Sequence, residues 1–197
     1  MKLLELFSGT GSWNKYCIEN NIECVSVDIS KKYHTPTILI DIMEWNYKAA
    51  FPPNHFDIIT ASPPCQFFSC LQRWGRYKKT PEQIKENIEK YALPVLKRTL
   101  EIIEYFNPTY YFIENPFTGT MKDYMNNDKY KFIKVDYCRF DYDYKKPTII
   151  YTNKNLKDCR CLHKKVKHTQ RLGHLTDKTT LADRYSIPQK LLIYLME

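Results

Sequence analysis

No apolar run in this 197-residue sequence approaches the ~18 residues a membrane span requires. A secretory leader is not expected either, because Met1-Lys2-Leu3-Leu4 passes straight into Ser8-Gly9-Thr10-Gly11 with no small-residue cleavage site behind a hydrophobic block. The seven cysteines are an odd number and are not read as a disulfide framework; they are expected as thiols, with any functional ones catalytic or metal-ligating, in an intracellular, cytoplasmic setting. Internal repeats and low-complexity tracts are missing. Disorder is excluded, since 16 Tyr, 10 Phe and 3 Trp supply ample core. The length fits one domain, or one domain with a small appendage.

Acid is also in short supply. Thirty Lys and Arg face 22 Asp and Glu, a formal charge of +8. The excess is localised: residues 152–174 hold seven cations (Lys154, Lys157, Arg160, Lys164, Lys165, Lys167 and Arg171) against Asp158 alone. Such a segment is either a solvated loop or a surface for a polyanion, most simply nucleic acid.

Short apolar runs end in polar residues along the first half of the chain. They are Lys2 to Phe7, Glu23 to Ile29, Thr37 to Ile42, Phe56 to Ala61 and Tyr110 to Ile113, and they read as buried parallel strands. Thr80-Pro81-Glu82-Gln83 has the form of a helix start, with Thr as N-cap, Pro at the first turn and Gln closing a capping box. The helix is expected to run to about Phe106, kinked or broken at Pro94. Phe132 to Cys138 and Thr148 to Thr152 predict a late antiparallel pair, and the segment after Pro188 a helix. Strands alternating with helices indicate an open α/β sheet, whose ligands bind outside the carboxyl ends of the strands.

The chemistry-bearing residues fall at those ends. Gly9 and Gly11 follow the first strand, where a ligand can approach backbone closely; Asp28 ends the second, as a ribose-binding acid would. Asp41 ends the third, and either acid could instead be a turn cap. After the fourth, Ser62-Pro63-Pro64-Cys65-Gln66 sets a thiol behind two prolines, which suits a rigid, exposed cysteine.

In this order the elements Glu-Leu-Phe-Ser-Gly-Thr-Gly (5–11), Asp28, Asp41, Ser-Pro-Pro-Cys-Gln (62–66) and Glu-Asn-Pro (114–116) resemble the DNA (cytosine-5)-methyltransferases over about residues 1–152, and within them the short phage and large-DNA-virus forms. The resemblance implies a Rossmann-like S-adenosylmethionine-dependent fold. Residues 1–152 would be the catalytic domain, 153–178 a small basic Cys/His insert, and 179–197 a helical segment completing the catalytic domain. It implies Cys65 as nucleophile, with Glu114 at ring nitrogen 3 of cytosine and Asn115 holding it. For S-adenosylmethionine it implies Phe7 against the adenine, Gly9 and Gly11 along the methionine, Asp28 at the ribose and Asp41 at the adenine amine, with Ser8, Thr10, Ser12, Ile29, Ile42, Ser62 and Pro63 as further contacts. The partner implied is DNA, in host cytoplasm if the protein is viral.

A base in a duplex cannot reach such a cysteine without flipping out. Arg73-Trp74-Gly75-Arg76-Tyr77-Lys78-Lys79 interleaves cations with aromatics just after Cys65, as a loop that binds phosphates and fills the vacated stack would. Gln66, Arg73, Arg76, Lys78, Lys79, Lys145, Lys146, Lys164 and Lys165 are therefore the candidate nucleic-acid contacts.

The pattern departs from the family in three places. Asp143-Tyr144-Lys145-Lys146 stands where a Gln-x-Arg-x-Arg segment is usual, and lysine lacks arginine's planar fork. Tyr185-Ser186-Ile187-Pro188 replaces a Gly-Asn-containing motif. The recognition domain shrinks to about 25 residues, so specificity should be short or come from a partner subunit; RNA, a free cytidine nucleotide, or a binding-only role stay open. Within that insert, Cys159, Cys161 and His168, with Cys138, form a candidate structural zinc set.

Overall fold

The computed structural model describes residues 1–73, 78–126, 128–162 and 179–197. Seven strands form one sheet: β1 (Lys2–Leu6), β2 (Glu23–Asp28), β3 (Ile38–Leu39), β4 (Ile58–Ala61), β5 (Tyr110–Pro116), β6 (Phe132–Asp136) and β7 (Pro147–Thr152). Their order is β3-β2-β1-β4-β5-β7-β6. The first five are parallel, and β7 lies antiparallel between β5 and β6. The expected α/β architecture, with its late antiparallel pair, is the one observed.

Alternation along each strand sends side chains to two helical layers. Leu4 and Leu6 of β1 enter a core with Leu96, Ile102, Ile103 and Phe106 of α4 (Leu93–Phe106). Leu3 enters the opposite core with Trp13 and Cys17 of α1 (Ser12–Glu19) and Leu191, Leu192 and Leu195 of the C-terminal helix (Gln189–Met196). Each such side chain, fully buried, contributes about 1.5–3 kcal/mol. Between β3 and β4 lies the single-turn α2 (Tyr47–Ala50), capped by Asn46.

Thr80 caps α3 (Pro81–Asn87) with Gln83 reciprocating, as the sequence predicts. Helical backbone continues from α3 through a π turn over Ile88–Ala92 into α4, so the distortion expected at Pro94 falls in the turn just before it, where the proline's missing N–H disturbs the hydrogen-bond ladder. β3 is only two residues long, because the chain turns at Asp41. β5 continues to Pro116 because β7 pairs alongside it, Glu114 opposite Ile150 and Pro116 opposite Thr148. Glu114 and Asn115 are thus strand residues held in a ladder rather than loop residues beyond it.

Candidate active site

The turn after β1 is built on unusual backbone. Phe7, Gly9 and Gly11 all adopt positive φ, at 59°, 50° and 70°. Phenylalanine is rarely found there, so the position stores backbone strain. Glu5, 3% exposed on β1, accepts from the N–H groups of Trp13 and Asn14 at the start of α1, at 3.2 and 3.1 Å. Burial pushes its carboxyl from 4.5 up to about 8, with the nearby Cys24 and Asp28 adding to the rise and those two N–H donors opposing it.

Asp28 closes this turn against β2. Its Oδ2 accepts from Gly9 N at 2.8 Å and its Oδ1 from Ser30 N at 2.8 Å. Asp41 Oδ1 accepts from Met43 N at 2.9 Å. Both acids are therefore turn caps locally, and each keeps lone pairs for a ligand hydroxyl or amine. Ile29 is 69% exposed at the strand end. Ile42 is buried in the α4-side core, and its carbonyl accepts from Arg98.

One residue at this turn has no signal in the sequence spacing. The His34 ring lies against Gly11 so closely that a Cβ there would stand 2.6 Å from it. Its Nε2, like Ser8 Oγ, is buried without a hydrogen-bond partner. The segment with no transferable role also docks here: Ile187 N donates to Ser12 Oγ at 3.0 Å, and Gln189 Nε2 to Ser12 O at 3.4 Å. A cavity of about 500 Å³ lies between Thr10, Gly11, Ser12, Tyr142, Ser186 and Gln189. Its hydroxyls, exposed turn backbone and unpartnered Ser8 Oγ and His34 Nε2 nearby suit the polar end of a cofactor.

Cys65 lies on the loop after β4, fastened at several points. Phe68 is buried in the α4-side core, and its N–H donates to Cys65 O at 3.0 Å. Phe68 O accepts from both Thr120 N and Thr120 Oγ1, at 2.8 and 3.2 Å, which bolts the loop to the segment after β5. Asn115 is wholly buried and its Nδ2 donates to Pro63 O at 3.2 Å. Asn115 thus holds the proline pair that presents Cys65, through a contact two prolines cannot make with donors of their own.

Glu114 points to the other face of β5. Tyr137, fully buried just after β6, donates its hydroxyl to Glu114 Oε1 at 3.2 Å. Lys146 Nζ stands 3.7 Å from the same oxygen and donates to Arg184 O at 2.9 Å. Burial raises the Cys65 thiol pKa, the Glu114 carboxylate adds to the rise, and the Lys146 ammonium opposes it. Cys65, Glu114 and Lys146 therefore share one electrostatic neighbourhood. Tyr137 escaped the sequence reading because nothing in its spacing relates it to Glu114.

Of the expected nucleic-acid contacts, Gln66, Arg73, Lys78 and Lys145 are exposed, and Lys79 Nζ lies 5.8 Å over the Phe67 ring. Lys146 is a correction: with its side chain only 14% exposed and paired to Glu114, it faces the site and not a phosphate backbone. Arg76, Lys164 and Lys165 lie outside the described residues. So does His168 of the candidate zinc set. The Cys138 and Cys161 thiols do meet, in a side-chain hydrogen bond, but no group of three or more His, Cys, Asp or Glu that could hold a metal occurs among the described residues. Cys159 is held instead in a bridge to Val135.

The profile of the C-5 cytosine-specific DNA methylases matches residues 1–145. The chain is 39% identical over 157 residues to a probable DNA (cytosine-5)-methyltransferase of Frog virus 3 (isolate Goorha), covering 78% of this chain and 71% of that one. Among solved structures it is similar to the S. pombe Dnmt2 methyltransferase (TM-score 0.47, 16% identity, 80% of this chain and 51% of that one). It is also similar to a Spodoptera frugiperda DNMT2 mutant (TM-score 0.47, 16% identity, 82% and 55%). The chain spans about half the length of those two structures. With a profile match over most of its length and a viral relative this similar, the chain belongs to the C-5 cytosine-specific DNA methylase family.

Proposed function

We propose that this chain transfers a methyl group from S-adenosylmethionine to carbon 5 of a flipped-out cytosine in DNA, with Cys65 as nucleophile and Glu114 as its acid partner. The observation that carries the reading is the convergence of Cys65, Glu114 and Lys146 at the ends of β4, β5 and β7, on a loop fastened by Asn115. Phe7, the glycine turn, Asp28 and Asp41 would hold the methyl donor, and the unpartnered Ser8 Oγ and His34 Nε2 fit its polar groups. The donor supplies an electrophilic methyl on a sulfonium.

The residues supply the rest. Carbon 5 of cytosine is a weak nucleophile until sulfur adds at carbon 6. The Cys65 thiolate forms that S–C bond while Glu114 hydrogen-bonds or protonates nitrogen 3, and the electron pair collects at carbon 5. After transfer, a water molecule takes the carbon-5 proton, the freed electron pair re-forms the ring double bond, and the S–C bond breaks to return the Cys65 thiolate. Tyr137 and Lys146 keep the Glu114 carboxylate oriented throughout. Asn115 acts one step back, positioning the cysteine loop.

Arg73, Lys78, Lys79 and the basic segment 153–178 would grip the flanking phosphates. Residues 1–152 and 179–197 act as one catalytic unit in this reading, with specificity short or supplied by a partner subunit. Transfer of labelled methyl from S-adenosylmethionine to duplex DNA, single-stranded DNA, RNA and dCMP tests it. Label should enter DNA and disappear with Cys65→Ala. Label confined to RNA or dCMP overturns the DNA substrate, and label unaffected by Cys65→Ala overturns the nucleophile.

A further inference from the structure

Phe117 directly follows Glu114-Asn115-Pro116, and three cations from three separate segments surround its ring. Lys122 Nζ lies 4.5 Å from the ring centre, Lys134 Nζ 5.1 Å and the Arg160 guanidinium 5.2 Å. Lys122 comes from the turn after β5, Lys134 from β6, and Arg160 from the start of the basic insert. Backbone pairing brings the last one in: Cys159 N donates to Lys134 O and Asp136 N to Cys159 O, so the chain at Cys159 is bridged to the edge of β6.

Charges of one sign gathered within reach of one ring repel one another unless something of opposite sign answers them. The acids nearby do so only in part. Buried Asp136 pairs with Arg160 Nε at 2.9 Å and with Cys161 N at 2.7 Å, and Asp158 Oδ1 accepts from Lys134 backbone N at 2.8 Å. Lys122 and Lys134 form no ion pair among the described residues; Lys122 Nζ donates only to Phe117 O, at 3.2 Å. The place matters as much as the charge. The segment 117–120 is the one bolted to Phe68, and Phe68 N bonds Cys65 O.

We propose that Lys122 and Lys134, aligned by Phe117 and joined to the basic insert through Arg160, form a phosphate-gripping surface for the DNA strand beside the flipped base. It rests on the DNA reading above and does part of the work of a recognition domain that residues 153–178 are too short to form. The Phe117 ring sits under both ammonium groups, so the charges are pre-arranged and lose little side-chain freedom on binding. Contacts of this kind read no sequence; they supply affinity and register.

The test is the salt dependence of duplex binding by the full chain, read as anisotropy of a labelled oligonucleotide. Lys122→Gln/Lys134→Gln keeps the stems and removes the charges, and Lys131→Ala at the far end of β6 is the control; thermal melting verifies the fold of each. Losing two phosphate contacts should flatten the slope of log K against log salt by about 1.8, with the control unchanged. Wild-type binding with an unaltered slope in the double variant overturns this surface while leaving the DNA reading intact. Absence of wild-type binding to any DNA overturns both.

Discussion

Lys146 Nζ stands 3.7 Å from Oε1 of Glu114 and 4.3 Å above the ring of Tyr137, whose hydroxyl donates to that same oxygen. A cation from just before β7 and a hydroxyl from just after β6 therefore fix one carboxylate on β5. The family's arginine segment is absent at this place, and a lysine whose own nitrogen is anchored on Arg184 O stands there.

That arrangement predicts a graded mutational response. Lys146→Met should lower methyl transfer by about 10²–10³-fold, the order of losing one preorganised electrostatic contact. Lys146→Arg should retain most of the rate, since a guanidinium can reach the same oxygen. Tyr137→Phe keeps the buried ring and should reduce kcat more than it raises KM. Equal losses from the Arg and Met variants would show that the cation is not what matters.

The thiol of Cys65 should be reluctant to ionise. Its pKa is raised by burial and by Glu114, with Lys146 opposing, so its alkylation rate should climb at a pH above that of an ordinary cysteine. Lys146→Met removes the opposing charge and should move the profile higher still. Peptide-resolved mass spectrometry after timed iodoacetamide treatment separates Cys65 from the other six cysteines.

Glu5 predicts a pH dependence of stability. A carboxyl whose folded pKa is about 8 binds its proton more tightly folded than unfolded, where 4.5 is ordinary. Its contribution is fully present below about pH 4.5 and is lost as pH rises towards 8, by up to ~5 kcal/mol. Glu5→Gln cannot titrate, so urea unfolding between pH 5 and 8 should show a shallower decline than wild type. A parallel decline would assign the slope to other groups.

Gly11 and His34 should be energetically coupled. Gly11→Ala places a Cβ 2.6 Å from the His34 ring and also imposes a side chain at φ 70°. In a double-mutant cycle with His34→Ala, the steric part of the loss should be recovered and the backbone part should persist. Melting temperature and S-adenosylmethionine affinity by calorimetry both read it, and purely additive effects would place the ring elsewhere.

Much of the architecture was legible because it rests on local pattern. The short apolar runs, the capping box at Thr80 and Gln83, and the late strand pair appear where the sequence predicts them. Where the sequence misled, a neighbour distant in the chain was the cause. β5 runs on through Glu114 and Asn115 because β7 pairs beside it. Lys146 read as a phosphate contact, since positive charge in a basic stretch looks solvated; burial against Glu114 is visible only in three dimensions. Of the candidate zinc set, Cys138 and Cys161 meet across the chain, while no group of three or more ligands assembles among the described residues.

By itself, the sequence determined which candidate residues stand at the strand ends and in what order they occur. Those assignments depend on side-chain type and on turns of a few residues, which are local properties. The tertiary structure alone decided which residues support them. Asn115 on Pro63, Tyr137 and Lys146 on Glu114, and His34 over Gly11 are contacts across 23 to 52 residues of chain. No spacing rule encodes such pairs, because they exist only once the sheet order and its packing bring separate strand ends together.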